Sequence, residues 1–138
     1  MFVGPYLRLA IPAGWSPVRS DDPDISMFAG PGFQLLGAMS VGTSLTLEET
    51  SAQIIAGIKS QSDIDPEQTE PITMDGVPGR MLTYHFPNMG MNVHGLFAFC
   101  THNGRAYEIV FRNAAGAETA DRALFLDVLT SFIFGPGF

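Results

Sequence analysis

The fold of this chain is decided by the stretch DGVPGRMLTYHFPNMGMNVHGLFAFCTHNGRAYEIVFRN, which runs from Asp75 to Asn113. The stretch contains Asp75-Gly76 and Asn103-Gly104, dipeptides of the kind that favours a two-residue hairpin turn. Runs rich in aromatic and branched side chains lie between and after these turns: Arg80–Phe86, Met91–His102 and Arg105–Arg112. The stretch therefore predicts three long antiparallel strands joined by tight turns.

Further strands are predicted on the N-terminal side of this stretch. Apolar and polar residues alternate over residues 7–11, which is typical of a half-buried strand. A hairpin is predicted around Gly30-Pro31-Gly32, because the apolar runs Ile25–Ala29 and Phe33–Val41 flank this turn signal. Thr69–Met74 is predicted to pair with the strand that follows it.

Two helices are predicted from a cap and from periodicity. Thr46 and Glu49 have the spacing of a capping box, which predicts a helix that ends near Ser60. Its inner face is expected to carry Leu47, Ile54, Ile55 and Ile58. The second helix is predicted over Ala117–Ser131, and a short edge strand over Phe132–Phe134 is left open. Its apolar stripe comprises Leu124, Phe125, Val128, Leu129 and Phe132, with Asp121, Arg122 and Asp127 on the outside. The element order predicts an α+β fold, an antiparallel sheet of six to seven strands with helices packed on its faces.

The composition indicates one folded domain over residues 1–138, with flexible ends at 1–5 and 135–138. Hydrophobic residues make up 46% of the chain and charged residues 15%, which is atypical of disorder. The net charge of −7 disfavours nucleic acid and anionic membrane surfaces, because phosphate binding requires clustered cations. Gly, Pro, Asn or His interrupts each long uncharged segment, so none is predicted to span a membrane. No signal-peptide pattern follows Met1, so we expect a cytoplasmic protein if Met1 is the native start, and otherwise an exported one with a leader outside this sequence.

The Asn103-Gly104 turn predicts a register between the last two strands of the stretch. The predicted opposed pairs are His102–Arg105, Cys100–Tyr107, Ala98–Ile109, Leu96–Phe111 and His94–Asn113. Extending this register through a four-residue loop, Pro87–Gly90, brings Thr83 beside His94. Thr83, His94 and Asn113 then form a polar row that could line a small-ligand pocket. We favour the alternative of a hydrogen-bonded histidine at the end of the sheet.

Other reactive side chains are expected to be structural. Cys100 and His102 share a strand face, but no third residue orients the base, so an inert buried thiol is favoured over a nucleophile. Glu108 and Arg112 share the opposite face, where a structural ion pair is favoured over a catalytic acid. No metal site is expected. Strand rise separates His94 from His102 by about 26 Å, and His85 and His94, which could share an ion, have no carboxylate or thiolate placed nearby. No cofactor and no catalytic residue are predicted.

The loop between the first two long strands is a candidate protein-contact surface. Met89 and Met91 lie on this loop beside Phe86. Exposed methionine makes an adaptable binding surface, and the alternative is that these side chains pack down onto the sheet. The candidate contact residues are therefore Phe86, Met89 and Met91.

Three motifs are shared with a known family over residues 6–134. They are Ile11-Pro12-Ala13-Gly14-Trp15, Asp75-Gly76-Val77-Pro78-Gly79 and Val128-Leu129-Thr130-Ser131-Phe132. With these motifs and its element order, the chain resembles the PsbP-like fold family, whose branches include PsbP, LpqN-type lipoproteins and Eag chaperones. The resemblance implies an antiparallel sheet between helices that is used for binding rather than catalysis. It implies no shared active site.

These observations lead to three hypotheses on function. The first is a non-catalytic protein-interaction or accessory module that uses a sheet edge and the Pro87–Met91 loop. The second is a carrier of a small apolar ligand or lipid on the His94 side of the sheet. The third is a chaperone of a type VI effector. We expect another protein as the partner, leave a small apolar ligand and a homodimer open, and expect no nucleic acid.

Overall fold

The structure is a computed structural model that describes residues 2–22, 24–60, 65–88, 90–114 and 116–135. These residues form two helices and ten strands. In chain order the elements are β1 (Phe2–Val3), β2 (Leu7–Leu9), β3 (Ser16–Val18), β4 (Ile25–Ala29), β5 (Leu35–Gly42), α1 (Leu47–Lys59), β6 (Asp65–Met74), β7 (Val77–Asn88), β8 (Met91–His102), β9 (Arg105–Ala114), α2 (Glu118–Thr130) and β10 (Ile133–Phe134). Residues 1 and 136–138, which belong to the predicted flexible ends, lie outside the described residues.

Seven strands form one antiparallel sheet in the order β3-β4-β5-β9-β8-β7-β6. The predicted turns at both ends of the meander are present, with Asp75 at φ +50° and Asn103 at φ +49°, each followed by a glycine at positive φ. Two successive positive φ angles are those of the hairpin turn that matches strand twist. All five register pairs predicted between β8 and β9 occur in the structure. The predicted α+β fold with a sheet of up to seven strands is confirmed.

A second sheet of three strands, in the order β1-β2-β10, was not predicted. The alternation over residues 7–11 does mark a strand, but this strand pairs with β1 and β10 rather than with the main sheet. Two-residue strands carry no detectable periodicity, so the sequence could not indicate these pairings. The short strand left open near residue 133 is β10, which belongs to this sheet.

The two faces of the main sheet are named here after one residue each. The His94 face contains the side chains of β7, β8 and β9 that point to the same side as His94. Six of its residues are at most 3% exposed: Leu96, Ala98, Cys100, Tyr107, Ile109 and Phe111. Phe125, Val128 and Leu129 of α2 and both leucines of β2 belong to the same buried cluster. The small sheet and α2 therefore cover the His94 face.

The opposite face, named the Glu108 face, is covered less completely. Helix α1 lies against β6 and β8, and its Glu48 forms an ion pair with Arg80 of β7. The buried residues of α1 are Thr50 and Ser51, whereas the four residues predicted for its inner face are half-buried. Phe97 and Val110, in the middle of the face, are also half-buried. This side of the sheet keeps apolar surface near solvent.

The predicted capping box at the start of α1 is confirmed. Glu49 N–H donates to Thr46 Oγ1 at 3.1 Å, and Thr46 N–H donates to Glu49 Oε1 at 3.0 Å. At the start of α2, by contrast, Ala117 offers no side-chain cap. Of the helices in the described residues, neither is long and apolar enough to cross a membrane.

Candidate functional site

His94 lies near the start of β8 on the covered face and is almost completely buried, with a side chain 1% exposed. Its Nε2 atom is 2.7 Å from Oδ2 of Asp121 in α2. The carboxylate does not lie where a well-aligned hydrogen bond from the ring would need it. Among the described residues, Nδ1 has no hydrogen-bond partner. The ring is thus enclosed by protein and is not open to a ligand from solution.

Asp121 connects three parts of the chain. Asn113 Nδ2 donates to Asp121 Oδ2 at 2.8 Å, and Gln34 Nε2 donates to Oδ1 at 3.4 Å. A buried carboxylate is costly unless it is paired and hydrogen-bonded, and these contacts meet that need. We call Gln34, His94, Asn113 and Asp121 the Asp121 cluster. The cluster joins the first turn of α2 to β8, β9 and the residue that precedes β5.

The sequence-based prediction for Asp121 is wrong. It was expected on the outer face of the second helix, but it is 2% exposed. Residues four apart lie on the same side of a helix, so Asp121 shares the face of Phe125 in the apolar stripe. The signal that could have identified Asp121 is this spacing, because it places a carboxylate on the inner face of the helix, above the predicted polar row.

The predicted polar row is corrected at one position. Asn113 does lie opposite His94, but Thr83 lies opposite Leu96, and His85 takes the place beside His94. The predicted four-residue loop is too long, because Asn88 pairs with Met91 and Gly90 has a φ of +79°. Without an Asn-Gly or Asp-Gly dipeptide in this loop, its length could not be predicted.

His85 contacts the first residue of α2. Its Nε2 atom lies 3.2 Å from Oε1 of Glu118, and Gly116 N–H donates to Oε2 at 2.9 Å. Hydrogen bonds from the backbone N–H of Glu118 itself, from His85 and from Gly116 lower the pKa of Glu118. The rings of His85 and His94 are 6.1 Å apart. Within the described parts of the chain, no three potential metal ligands converge on one point.

Cys100 and His102 do not form the pair that a thiol nucleophile needs. Cys100 is fully buried, and burial raises the pKa of its thiol to about 12. The His102 ring stacks on Phe134 with 4.2 Å between centroids, and its Nε2 atom is 3.2 Å from the side-chain nitrogen Nδ2 of Asn103. The Cys100 thiol is therefore protonated at neutral pH and shielded from solvent.

A hollow of about 270 Å³ lies beside the β7–β8 turn. Phe86 and Met91, two of the three predicted contact residues, line it, and Met89 lies outside the described residues. Phe33 also lines the hollow and is 67% exposed. The Phe86 ring stacks on Tyr84 with 5.8 Å between centroids. We call the exposed apolar area formed by Phe33, Phe86 and Met91 the Phe33 surface.

The predicted ion pair between Glu108 and Arg112 is wrong. The Arg112 guanidinium stands 5.4 Å from the centre of the Phe86 ring instead. Glu108 has no ion pair or hydrogen bond to its side chain from any described residue. Glu108 and Arg112 are four residues apart on β9, so their side chains lie on the same face of the sheet. The strand rise nevertheless separates them by about 13 Å, which explains why they do not meet.

Comparisons with known proteins support the fold. No family model and no curated protein matches the sequence. Among solved structures, the chain is similar to the cyanobacterial PsbP, CyanoP, of Synechocystis sp. PCC 6803, with a TM-score of 0.69, 17% identity, and coverage of 96% of this chain and 95% of that one. It is also similar to a Pseudomonas aeruginosa protein of unknown function described as a candidate regulator, with a TM-score of 0.65, 13% identity, and coverage of 91% and 95%.

A third similar structure is LpqN of Mycobacterium tuberculosis, a protein involved in cell envelope biogenesis. Its TM-score is 0.58 at 9% identity, with coverage of 94% of this chain and 83% of that one. The expected PsbP-like fold is confirmed by these similarities. They leave the branch of the family open.

Proposed function

We propose that this chain, which has the PsbP-like fold, is a non-catalytic protein-interaction module that binds its partner through the Phe33 surface. The observation that carries the proposal is the 67% exposure of Phe33 above a hollow lined by Phe86 and Met91. Large exposed aromatic side chains beside a pocket are typical of the residues that dominate binding energy in protein interfaces. Two of these three residues, Phe86 and Met91, were already predicted from the sequence as contact residues.

The surroundings of Phe86 favour binding without much reorganisation. Tyr84 stacks on one side of the Phe86 ring, and the Arg112 guanidinium stands near it. A ring that is held in place before binding loses less conformational entropy in the complex. Arginine beside an aromatic ring is also common in interface centres. The Phe33 surface therefore combines an exposed ring, Phe33, with a ring that its neighbours hold in place, Phe86.

The face of the sheet is a better contact candidate than either edge. The outer strands of the main sheet are β3 and β6. They contain Pro17 and Pro71, and proline has no backbone N–H to donate to an added strand. We therefore propose contact through the Phe33 surface rather than by extension of the sheet.

The burial of His94 weighs against the carrier hypothesis for the His94 face. A ligand there would have to displace α2 and break the contact between His94 and Asp121. Because α2 packs over this face, the arrangement favours an interaction module over a carrier. A type VI effector chaperone would be one kind of interaction module, and the genes beside this one would identify that case.

Photo-crosslinking in the native host tests the proposal. A benzoylphenylalanine is placed at Phe33 in one variant and at Val3, 61% exposed in the other sheet, in the control. We expect a specific partner to crosslink at Phe33 and not at Val3. With that partner purified, Phe33→Ser should weaken binding at least about tenfold, whereas Val3→Ser should leave the affinity unchanged. Equal crosslinking at both positions, or unchanged affinity of Phe33→Ser, would overturn the proposal.

A further inference from the structure

A second hollow, here called the Glu108 groove, lies on the Glu108 face next to the hollow of the Phe33 surface. Leu35 and Arg112 line both hollows, whereas Phe33, Phe86 and Met91 do not line the groove. Its volume is about 250 Å³, and strands β4, β5, β8 and β9 form its floor. Its apolar lining includes Ile25, Met27, Leu35, Met39, Phe97 and Val110. Gly37 leaves room in the middle of the floor, because a Cβ atom there would meet only one backbone oxygen, at 3.9 Å. The groove is therefore a shallow, apolar depression.

One carboxylate lies within this apolar lining. Glu108 is half-buried and stands between Met39 of β5 and Phe99 of β8. Desolvation by the surrounding apolar groups raises its pKa. No cation from the described residues pairs with it, and the other charged group of the groove, Arg112, stands over Phe86. A carboxylate that is partly desolvated and lacks a counter-charge is costly for the folded protein.

We propose that the Glu108 groove binds a small apolar ligand that carries one ammonium group. The ammonium group pairs with the Glu108 carboxylate, and the apolar part of the ligand covers Met27, Met39 and Val110. The space equals that of about eight water molecules, which suits a short chain or a single ring and not a helix or a second copy of this chain. A cation supplies the missing counter-charge, whereas an anion would be repelled by Glu108 and by the net charge of −7. The guanidinium of Arg112, which also lines the groove, stands over Phe86, a residue outside the lining.

Titration with n-octylammonium, followed by NMR of the ¹⁵N-labelled chain, tests the proposal. We expect saturable shifts of the amide signals of Met39, Glu108 and Val110. At the same concentrations, n-octanoate should cause no shifts, and 1-octanol should bind at least about tenfold more weakly because its hydroxyl has no positive charge to pair with the carboxylate. Equal affinity for octylammonium and octanol would overturn the proposal, because the carboxylate would then have no part in binding.

Three variants complete the test. Glu108→Gln should weaken octylammonium binding about tenfold, while Asp127→Asn, on an exposed site of α2, makes the same change in net charge and should have no effect. Gly37→Val should abolish binding by filling the groove with a residue that strands accept. Unchanged affinity of Glu108→Gln or of Gly37→Val would contradict the proposed site.

Phe33→Ser separates this inference from the proposed function. Phe33 does not line the groove, so this variant should bind octylammonium like the wild type while it loses the protein partner. Shifts that centre on Phe33 instead of Glu108 would show that the amine binds the protein-contact surface, and would overturn the assignment of the groove.

Discussion

The His94 face and the Glu108 face each carry an ionisable side chain among apolar residues of the central strands, yet among the described residues only that of His94 has a charged partner. His94 lies against Asp121, which also accepts hydrogen bonds from Asn113 and Gln34. Glu108 contacts apolar groups and has no counter-charge from the described residues. The difference arises from the covering helices, because α2 brings a carboxylate to the sheet and α1 brings Thr50 and Ser51. The buried polar groups on the closed side therefore stabilise the fold, and the half-buried Glu108 on the open side is the basis of the proposed ligand site.

The largest expected effect on stability is on the closed side of the sheet, which is the His94 face. Asp121→Ala removes the partner of the buried His94 and of the half-buried Asn113 and Gln34, and should lower the free energy of unfolding by about 3–5 kcal/mol. Asp127→Ala, on the exposed side of the same helix, should change it by no more than about 0.5 kcal/mol. Urea unfolding of both variants measures the difference. A cost below about 1 kcal/mol for Asp121→Ala would mean that the Asp121 cluster does not hold the helix.

A smaller effect is expected at α1, which covers the open side and depends on its own cap. Thr46→Ala removes the side-chain acceptor for Glu49 N–H and should cost about 1 kcal/mol. Ser44→Ala, on an exposed residue before the helix, is the matched control and should stay within about 0.5 kcal/mol. Thermal and urea unfolding both report this difference. Equal stability of the two variants would contradict a role of the capping box in holding α1.

The smallest expected effect on stability is at Glu108, where a substitution should stabilise the chain rather than destabilise it. Burial raises the pKa of Glu108, so the folded protein holds this proton to higher pH than the unfolded chain does. The stability of the wild type therefore falls as pH rises from the ordinary glutamate range through the raised pKa. Glu108→Gln should remove this loss and stabilise the chain at neutral pH by no more than about 0.5 kcal/mol, because the groove is open to solvent.

Unfolding of the wild type and Glu108→Gln across pH checks this expectation. The two proteins should be equally stable at low pH, where Glu108 is protonated in both states, and should diverge as pH rises. A variant less stable than the wild type at neutral pH would mean that Glu108 has a favourable partner after all.

The elements that could be predicted from the sequence are those with a local signal. Asn103-Gly104 specifies a two-residue turn, so the whole register of β8 on β9 follows from it. The Thr46–Glu49 box likewise specifies where α1 begins. His94 opposite Asn113 follows from the same register, so part of the candidate site was accessible.

The remaining features depend on contacts between distant residues. The turn at Gly90 lacks a specific dipeptide, so Thr83 was predicted beside His94 where His85 lies. Asp121 was assigned to solvent from its polarity alone, although its spacing from Phe125 indicates the inner face. The open state of the Glu108 face depends on where α1 docks, which no residue pattern in the helix specifies.

The Asp121 cluster has a consequence for the order of folding. Its members come from three separate parts of the chain, Gln34, His94 and the segment from Asn113 to Asp121, so the cluster closes only after the long hairpins have formed. Because Ala117 gives α2 no cap of its own, this helix should gain its final anchorage after the rate-limiting barrier. Damage to the cluster would then shorten the lifetime of the native state while the refolding rate stays nearly the same.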